Sequence, residues 1–102
     1  MIARLWHGRT TKANADKYET LLRSEVLPGI HRVKGYHGAY LLRREMSDQI
    51  EFVTITFFDS WDAVQDFAGP DRERAVVPPA ARAVLLSFDE RAVHYEVLAQ
   101  PE

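Results

Sequence analysis

Apolar and polar side chains alternate at the start of the chain, which predicts a β-strand. Residues 2–9 read Ile-Ala-Arg-Leu-Trp-His-Gly-Arg, an imperfect alternation with a period of two. Helical spacing follows, because apolar side chains then recur at intervals of three and four residues. These positions are Tyr18, Leu21, Leu22 and Val26. The candidate N-caps of this first helix are Thr10, Thr11 and Asn14.

The first helix is predicted to be interrupted at Leu27-Pro28-Gly29. Proline lacks a main-chain donor and restrains the residue before it, so helices tend to end there. A short turn over residues 30–33 is expected to follow, with Gly35 at its end.

The middle of the chain predicts an antiparallel hairpin. Residues 50–58, Ile-Glu-Phe-Val-Thr-Ile-Thr-Phe-Phe, are rich in β-branched and aromatic side chains, and they give the strongest strand signal. Residues 36–46 are predicted as the preceding strand. Because only the polar residues 47–49 separate the two, the strands are expected to pair side by side.

The second half of the chain predicts two helices and a last strand. Asp59-Ser60 is expected to cap a helix that carries Trp61, Val64 and Phe67 and stops at Gly69-Pro70. Pro78-Pro79 is expected to open a further helix over residues 80–86. Residues 91–98 are predicted as the fourth strand.

The predicted order β-α-β-β-α-β is that of the ferredoxin-like α+β fold, one antiparallel sheet with helices on one face. The 102 residues suffice for a single domain over residues 1–102. Strand three is apolar on both faces, with Val53, Ile55 and Phe57 on one side. Because helices cover only one face of the sheet, we predict that a second copy covers the other, in a homodimer with isologous symmetry.

Composition and charge exclude several classes of function. The absence of cysteine removes disulfides, thiolate metal ligands and a thiolate nucleophile. A net charge of −2, with the basic residues scattered among acids, argues against nucleic-acid binding. No apolar stretch is long enough for a membrane span, and the N-terminus lacks the features of a signal peptide. We therefore expect a cytoplasmic protein with no membrane partner.

Four stretches resemble the antibiotic biosynthesis monooxygenase family of dimeric α/β barrels, and together they cover nearly the whole chain. They are residues 2–9, the helix exit Val26-Leu27-Pro28-Gly29 leading into residues 35–40, Phe58-Asp59-Ser60-Trp61 followed by Ala63, Val64 and Phe67, and Val93-His94-Tyr95-Glu96-Val97. The resemblance implies the ferredoxin-like fold and a homodimeric barrel. Relatives include quinone-forming monooxygenases, haem-degrading enzymes, isomerases and proteins with no known activity.

The resemblance implies chemistry that needs neither a metal nor another cofactor. An aromatic or polycyclic substrate is ionised to a carbanion or enolate, which reduces O2 itself and collapses through a peroxide to a quinone. The protein supplies a dry cavity, a base or proton relay, and a donor for the developing oxyanion. The predicted partner is thus a small aromatic molecule.

Haem-degrading relatives carry an Asn on strand one, a Trp at the end of strand three and a His on the following helix. In this chain Phe58 occupies the Trp position, and Trp6 or His7 the Asn position, depending on the register of the strand. The segment after Gly69 offers no histidine at the matching place. These differences argue against haem degradation.

Eight residues are candidates for the site. His94 and His7 lie on neighbouring strands beside aromatic residues, where an imidazole can manage a proton near neutral pH. Tyr40 offers a phenol as an oxyanion donor. The candidates for substrate binding are Arg4, Trp6, Phe58, Trp61 and Phe67. No pair of histidines has the spacing of a zinc site, and no metal is predicted.

Three functions remain open from the sequence. The first is a small cofactor-independent monooxygenase in which His94 or His7 manages the proton, with Tyr40 and Trp6 as donors or walls. The second is a ligand-binding or stress-responsive barrel without catalysis, in which the histidines are structural. The third is an isomerase of a small lactone or enol, which the same base would serve without O2.

Overall fold

A computed structural model describes residues 1–101 and shows an α+β fold. The elements are β1 (Ile2–Thr11), α1 (Ala15–Leu21), a π-helical turn (Leu22–Val26), α2 (Leu27–Ile30), β2 (Tyr36–Glu45), β3 (Gln49–Phe58), α3 (Trp61–Ala68), α4 (Pro79–Arg82), β4 (Leu85–Phe88) and β5 (Val93–Glu96). Within residues 1–101, no helix has the length and apolar character that a bilayer crossing requires.

The strands form one antiparallel sheet in which β3 lies between β2 and β1. The far side of β1 pairs with two short strands. β5 pairs with Ile2–Leu5, and β4 pairs with residues 8–10. The last strand of the ferredoxin-like order is thus present in two pieces, and the predicted α+β ferredoxin-like fold is confirmed.

The predicted helix over residues 80–86 is wrong in its second half. Helix α4 ends at Arg82, and Leu85–Phe88 form β4. The Ala- and Leu-rich segment favours a helix locally. Pairing with β1 overrides that preference, because Leu85 and Phe88 bring apolar side chains over Thr10 and Gly8. The fourth strand is also shorter than predicted, since β5 covers only Val93–Glu96.

The helix before Pro28 is not interrupted in the way the sequence predicts. The backbone stays helical through residues 15–30, with the π-helical turn Leu22–Val26 inserted just before the proline. The main-chain N–H of Leu27 donates to Leu22 O, five residues back. Pro28 has no main-chain N–H to donate within the helix. A wider turn of this kind accommodates that missing donor, and the helix continues past the proline.

The two faces of the sheet differ in what covers them. The even-numbered residues of β1 and β3 face the helices, and among them Ile2, Phe52 and Phe58 are buried in the core. The odd-numbered residues of these two strands lie on the other face, together with the even-numbered residues of β2 from Tyr40 to Arg44. No helix of residues 1–101 covers this face. We call this surface the open face; it comprises Leu5, His7, Arg9, Tyr40, Leu42, Arg44, Glu51, Val53, Ile55, Phe57, Val93 and Tyr95.

The core between the sheet and the helices is divided into two clusters. One is built around Tyr18 and Phe52, and the other around Phe58 and Val64. Val26 of the π-helical turn packs against both. A small domain commonly has one contiguous core. Here the two halves flank a cavity.

Candidate functional site

The cavity lies between the helix-facing side of the sheet and the helices. Four of the residues that line the cavity come from the sheet: Arg4, Trp6, Thr54 and Thr56. The remaining lining comes from the helices and from the segment before α4, and it is almost wholly apolar. These residues are Tyr18, Leu22, Val26, Leu27, Ile30, Phe67, Val76, Val77, Pro78 and Ala81.

The cavity is small. The volume open to the centres of water molecules is about 50 Å³. One buried water needs about 10–15 Å³ by the same measure, so a few waters or one ring would fill it. A polycyclic molecule would fit only if the segment of residues 76–78 moved outward.

Tyr18 brings a hydroxyl group into this apolar space. Its side chain is 1% exposed, and its ring packs edge-on against Phe52 with the centroids 4.9 Å apart. No hydrogen bond within residues 1–101 involves the hydroxyl, although no sealed polar side-chain atom there lacks a partner. The hydroxyl therefore faces the open space of the cavity. Burial raises the pKa of Tyr18, so the phenol stays protonated and acts as a donor.

Arg4 places a positive charge at the sheet side of the cavity. The side chain is 4% exposed. Its Nη1 donates to the main-chain oxygen of Arg72 at 2.5 Å and to His94 Nε2 at 3.0 Å, and its Nη2 donates to Arg74 O at 2.7 Å. Burial lowers the pKa of Arg4 to about 10, which leaves it charged at neutral pH.

The predicted aromatic walls are only partly in place. Phe67 lines the cavity and lies beneath the Arg4 guanidinium, 5.4 Å from its ring centroid. Phe58 is fully buried behind Phe67 at 5.8 Å and supports that ring. Trp6 lines the cavity, but its indole N–H already donates to Asp89 O at 2.6 Å. Trp6 therefore serves as a wall, and its donor is occupied.

His94 touches Arg4 but does not line the cavity. Because a guanidinium can only donate, His94 Nε2 accepts, and the ring carries its proton on Nδ1. The other side of the ring packs against Trp61, with the centroids 5.2 Å apart, in a cleft on the surface. Trp61 is 42% exposed and lies under Arg72. His94 and Trp61 therefore support Arg4 from the side away from the cavity.

His94 makes the stability of the fold depend on pH. Burial first, and then the charges of Arg4 and Arg72, lower the pKa of His94 from 6.5. As the pH falls below about 6.5, the unfolded chain takes up this proton before the folded chain does. The free energy of unfolding is therefore expected to fall until folded His94 is also protonated. Chemical denaturation across this range should show a shallower decline in His94→Gln than in the wild type, whereas His31→Gln, at an exposed histidine, should match the wild type.

His7 and Tyr40 lie on the open face, away from the cavity. His7 Nδ1 is 2.9 Å from Asp89 Oδ2, in a group of charged side chains that includes Arg9 and Glu51. Tyr40 is 63% exposed and packs edge-on against Phe57. The structure thus separates these two candidates from Arg4, Trp6 and Phe67, which it brings together.

Sequence reasoning missed two residues that organise the site. The spacing of the first helix indicates Tyr18 only as part of its apolar face, although a buried phenol requires either a partner or a polar space. Asp89 was not singled out; its main-chain oxygen accepts from Trp6, and its carboxylate contacts His7 on the opposite face. Nothing in the local sequence of Asp89 indicates this double contact, because it depends on the break between β4 and β5.

The strand order and the helices on one face of the sheet define the class of structure, a ferredoxin-like α+β domain. The chain resembles an antibiotic biosynthesis monooxygenase of unestablished activity from Bacillus cereus, with a TM-score of 0.70 and 13% identity over 100% of this chain and 95% of the other. It also resembles the heme-degrader MhuD from Mycobacterium tuberculosis with two hemes bound in its active site, with a TM-score of 0.66 and 17% identity over 100% of both chains.

A mutant of MhuD with two manganese protoporphyrin IX molecules bound per active site gives a TM-score of 0.64 and 17% identity, over 100% of this chain and 99% of the other. No family model matches the chain, and no curated protein matches it. The likeness therefore establishes the fold, and the expected resemblance to antibiotic biosynthesis monooxygenases is confirmed at that level.

The cavity does not fit a haem. No histidine lines it within residues 1–101, and its volume of about 50 Å³ is far below that of a porphyrin. Haem also carries two propionates, while Arg4 is the single charged side chain among the lining residues of the described chain. We therefore derive no reaction through haem for this protein.

Proposed function

We propose that this protein is a cofactor-independent monooxygenase that oxidises a small aromatic molecule with O2 in the cavity between sheet and helices. The observation that carries the proposal is the Tyr18 hydroxyl, a buried donor without a partner within residues 1–101, set in walls that are mostly apolar. A donor in a dry site stabilises an oxyanion far better than water does, because it needs no reorganisation.

The chemistry balances without any further reagent. A ring CH2 activated by a neighbouring phenol or enol loses a proton, and the resulting anion transfers one electron to O2. The two radicals join as a peroxide, which takes up a proton and loses water to leave a ketone or quinone. One oxygen atom of O2 enters the product and the other leaves as water. Tyr18 would donate a hydrogen bond to the peroxide oxygen as its charge develops.

The cavity also restricts the substrate. The lone pair of His94 Nε2 is already used by Arg4, so we assign no base to that residue. The substrate must then be a phenol or enol acidic enough to ionise without a protein base. Trp6 and Phe67 would form its flat walls.

We further propose that the open face is the interface of a homodimer. Its central strands carry Leu5, Val53 and Ile55. On the flanking strands, Tyr40, Leu42 and Tyr95 are 63%, 47% and 57% exposed. At one end lies a group of charged side chains in which Glu51 contacts Arg44 at 2.8 Å and Arg9 at 3.5 Å. An apolar centre with a polar border is the usual anatomy of a protein interface. His7 and Tyr40 would then serve the interface.

A second candidate function is ligand binding without turnover. It is favoured by one observation, that among residues 1–101 no histidine or carboxylate lines the cavity. An isomerase needs a base in contact with the substrate carbon, so the same observation argues against that function. If the protein only binds its ligand, the ligand would raise the melting temperature and would be released without chemical change.

Oxygen uptake by purified, metal-stripped protein separates the two functions. Anthrone and the one-ring enol cyclohexane-1,3-dione, both of which carry an activated ring CH2, serve as substrates, each measured against its autoxidation blank. We expect saturable uptake above the blank and an oxygenated product in an amount equal to the O2 consumed. Uptake equal to the blank for every substrate, together with thermal stabilisation by the same compounds, would contradict the monooxygenase function and support ligand binding without turnover.

A further inference from the structure

We infer that the cavity binds its ligand as a small anion, an apolar molecule of about one ring whose single carboxylate or phenolate group pairs with Arg4. The inference shares with the proposed function only the location of the site. It adds the charge and the size of the ligand, which neither the fold nor the aromatic walls determine.

The charge of Arg4 has no counter-charge in the described protein. Within residues 1–101 no aspartate or glutamate forms an ion pair with Arg4, and its three acceptors are two main-chain oxygens and a neutral imidazole. The other buried charged side chain, Glu51, is paired with Arg44. Buried charges in proteins are normally paired, because removing an ion from water is costly. Arg4 is therefore the exception that calls for an anion.

The guanidinium also retains donors for a ligand. Of its five N–H groups, two on Nη1 and one on Nη2 are taken up by Arg72 O, His94 Nε2 and Arg74 O. The Nε–H and one N–H of Nη2 have no partner within residues 1–101. A guanidinium presents Nε and Nη2 side by side, a spacing that matches the two oxygens of a carboxylate. The acceptors on the remaining positions hold that plane in a fixed orientation.

The rest of the cavity limits the ligand to one charge and a short apolar body. Apart from Arg4, the polar side chains of the lining are the neutral ones of Tyr18, Thr54 and Thr56, since the N–H of Trp6 is already used by Asp89 O. A second anionic group would lie against aliphatic side chains and would lose its hydration without compensation. The volume of about 50 Å³ corresponds to a body the size of one ring.

Isothermal titration calorimetry of the full chain tests the inference with matched ligands. Benzoate and benzamide have the same shape but differ in charge. Hexanoate tests whether the body must be a ring, and 4-nitrophenol, titrated below and above its own pKa, tests phenolate against phenol. We expect benzoate to bind at least 10-fold more tightly than benzamide, and 4-nitrophenolate more tightly than 4-nitrophenol.

The matched variants are Arg4→Gln and Arg23→Gln. The first variant removes the charge and keeps a polar side chain on an aliphatic stem, although its amide is too short to reach the carbonyl oxygens that Arg4 holds. Arg23 lies on the surface, away from the cavity, and pairs with Glu19, so its replacement should leave ligand binding unchanged. In Arg4→Gln, benzoate should lose its advantage over benzamide.

Equal affinity for benzoate and benzamide in the wild-type protein would overturn the inference, and so would millimolar concentrations of all four ligands giving no heat. These measurements need no variant, so they stand even if Arg4→Gln fails to fold. Failure of the proposed function can be told apart from failure of this inference. Selective benzoate binding without oxygen uptake would contradict only the proposed monooxygenase function. Turnover of substrates with no preference for anionic ligands would contradict only the inference that Arg4 binds an anion.

Discussion

Replacing Tyr18 by phenylalanine is expected to lower kcat for oxygen uptake by about 100-fold and to leave the melting temperature nearly unchanged. The size follows from the loss of one donor to a developing oxyanion, which typically costs 10²–10³ in kcat. Stability should hold because the ring keeps its packing against Phe52, and the hydroxyl gives up no hydrogen bond within residues 1–101. The measurements are steady-state oxygen uptake and a thermal melt of both proteins.

Tyr36→Phe is the matched control. Tyr36 is half-buried and packs against Phe58, but it does not line the cavity. The same loss of one oxygen atom there should leave kcat unchanged. A Tyr18→Phe variant that retained full turnover would show that the hydroxyl is not the donor. A variant that lost several degrees of melting temperature would show that the phenol is part of the core.

Ile55→Glu is expected to convert the proposed dimer into monomers. Ile55 lies in the middle of the open face, opposite Leu5 on one neighbouring strand and Tyr40 on the other. In an interface with two-fold symmetry, each copy would bury one new carboxylate against apolar side chains, at a cost of several kcal/mol per ion. Sedimentation should report a mass that falls from twice 11.7 kDa to 11.7 kDa.

The control for this variant is Thr20→Glu, another exchange of a β-branched residue for an acid, at an exposed position of α1 on the helix side. It should sediment like the wild type. A wild-type protein of 11.7 kDa at micromolar concentration would contradict the dimer directly. A dimer that persisted in Ile55→Glu would place the interface on another surface.

Local chemistry determined most of the fold that could be predicted. Residues 50–58 predict β3 because β-branched and aromatic side chains alternate along them, and the strand covers Gln49–Phe58. Ser60 accepts from the main-chain N–H of Ala63 and begins α3, and Gly69 with φ of +91° ends it. Each of these signals acts over a few neighbouring residues, so the local sequence alone is sufficient to predict the element.

The errors arose where distant pairing decided the outcome. Leu85–Phe88 follow an Ala-rich helix start, yet they form a strand because the edge of β1 at Gly8 and Thr10 is free to receive them. The break after Phe88 lets Asp89 reach His7 and Trp6, a contact that joins residues more than 80 positions apart. No local pattern carries that information.

The site was predicted only as far as strand periodicity reaches. Alternation along β1 places Arg4 and Trp6 on one face, and both line the cavity. The same alternation puts His7 on the opposite face, which the sequence left undecided because both faces of β1 carry apolar residues. Tyr18 was missed because a tyrosine on an apolar helix face looks like core until the space beside its hydroxyl is seen.

The division of the last strand into two short pieces also bears on how the protein resists aggregation. A long, flat edge strand offers a continuous row of unpaired main-chain groups to which other chains can add. On this side of the sheet β4 and β5 are four residues each, and the segment between them turns aside to hold Trp6 and His7. An incoming strand would find no uninterrupted ladder there, so the contact that anchors the cavity wall also protects the sheet edge from fibril-like growth.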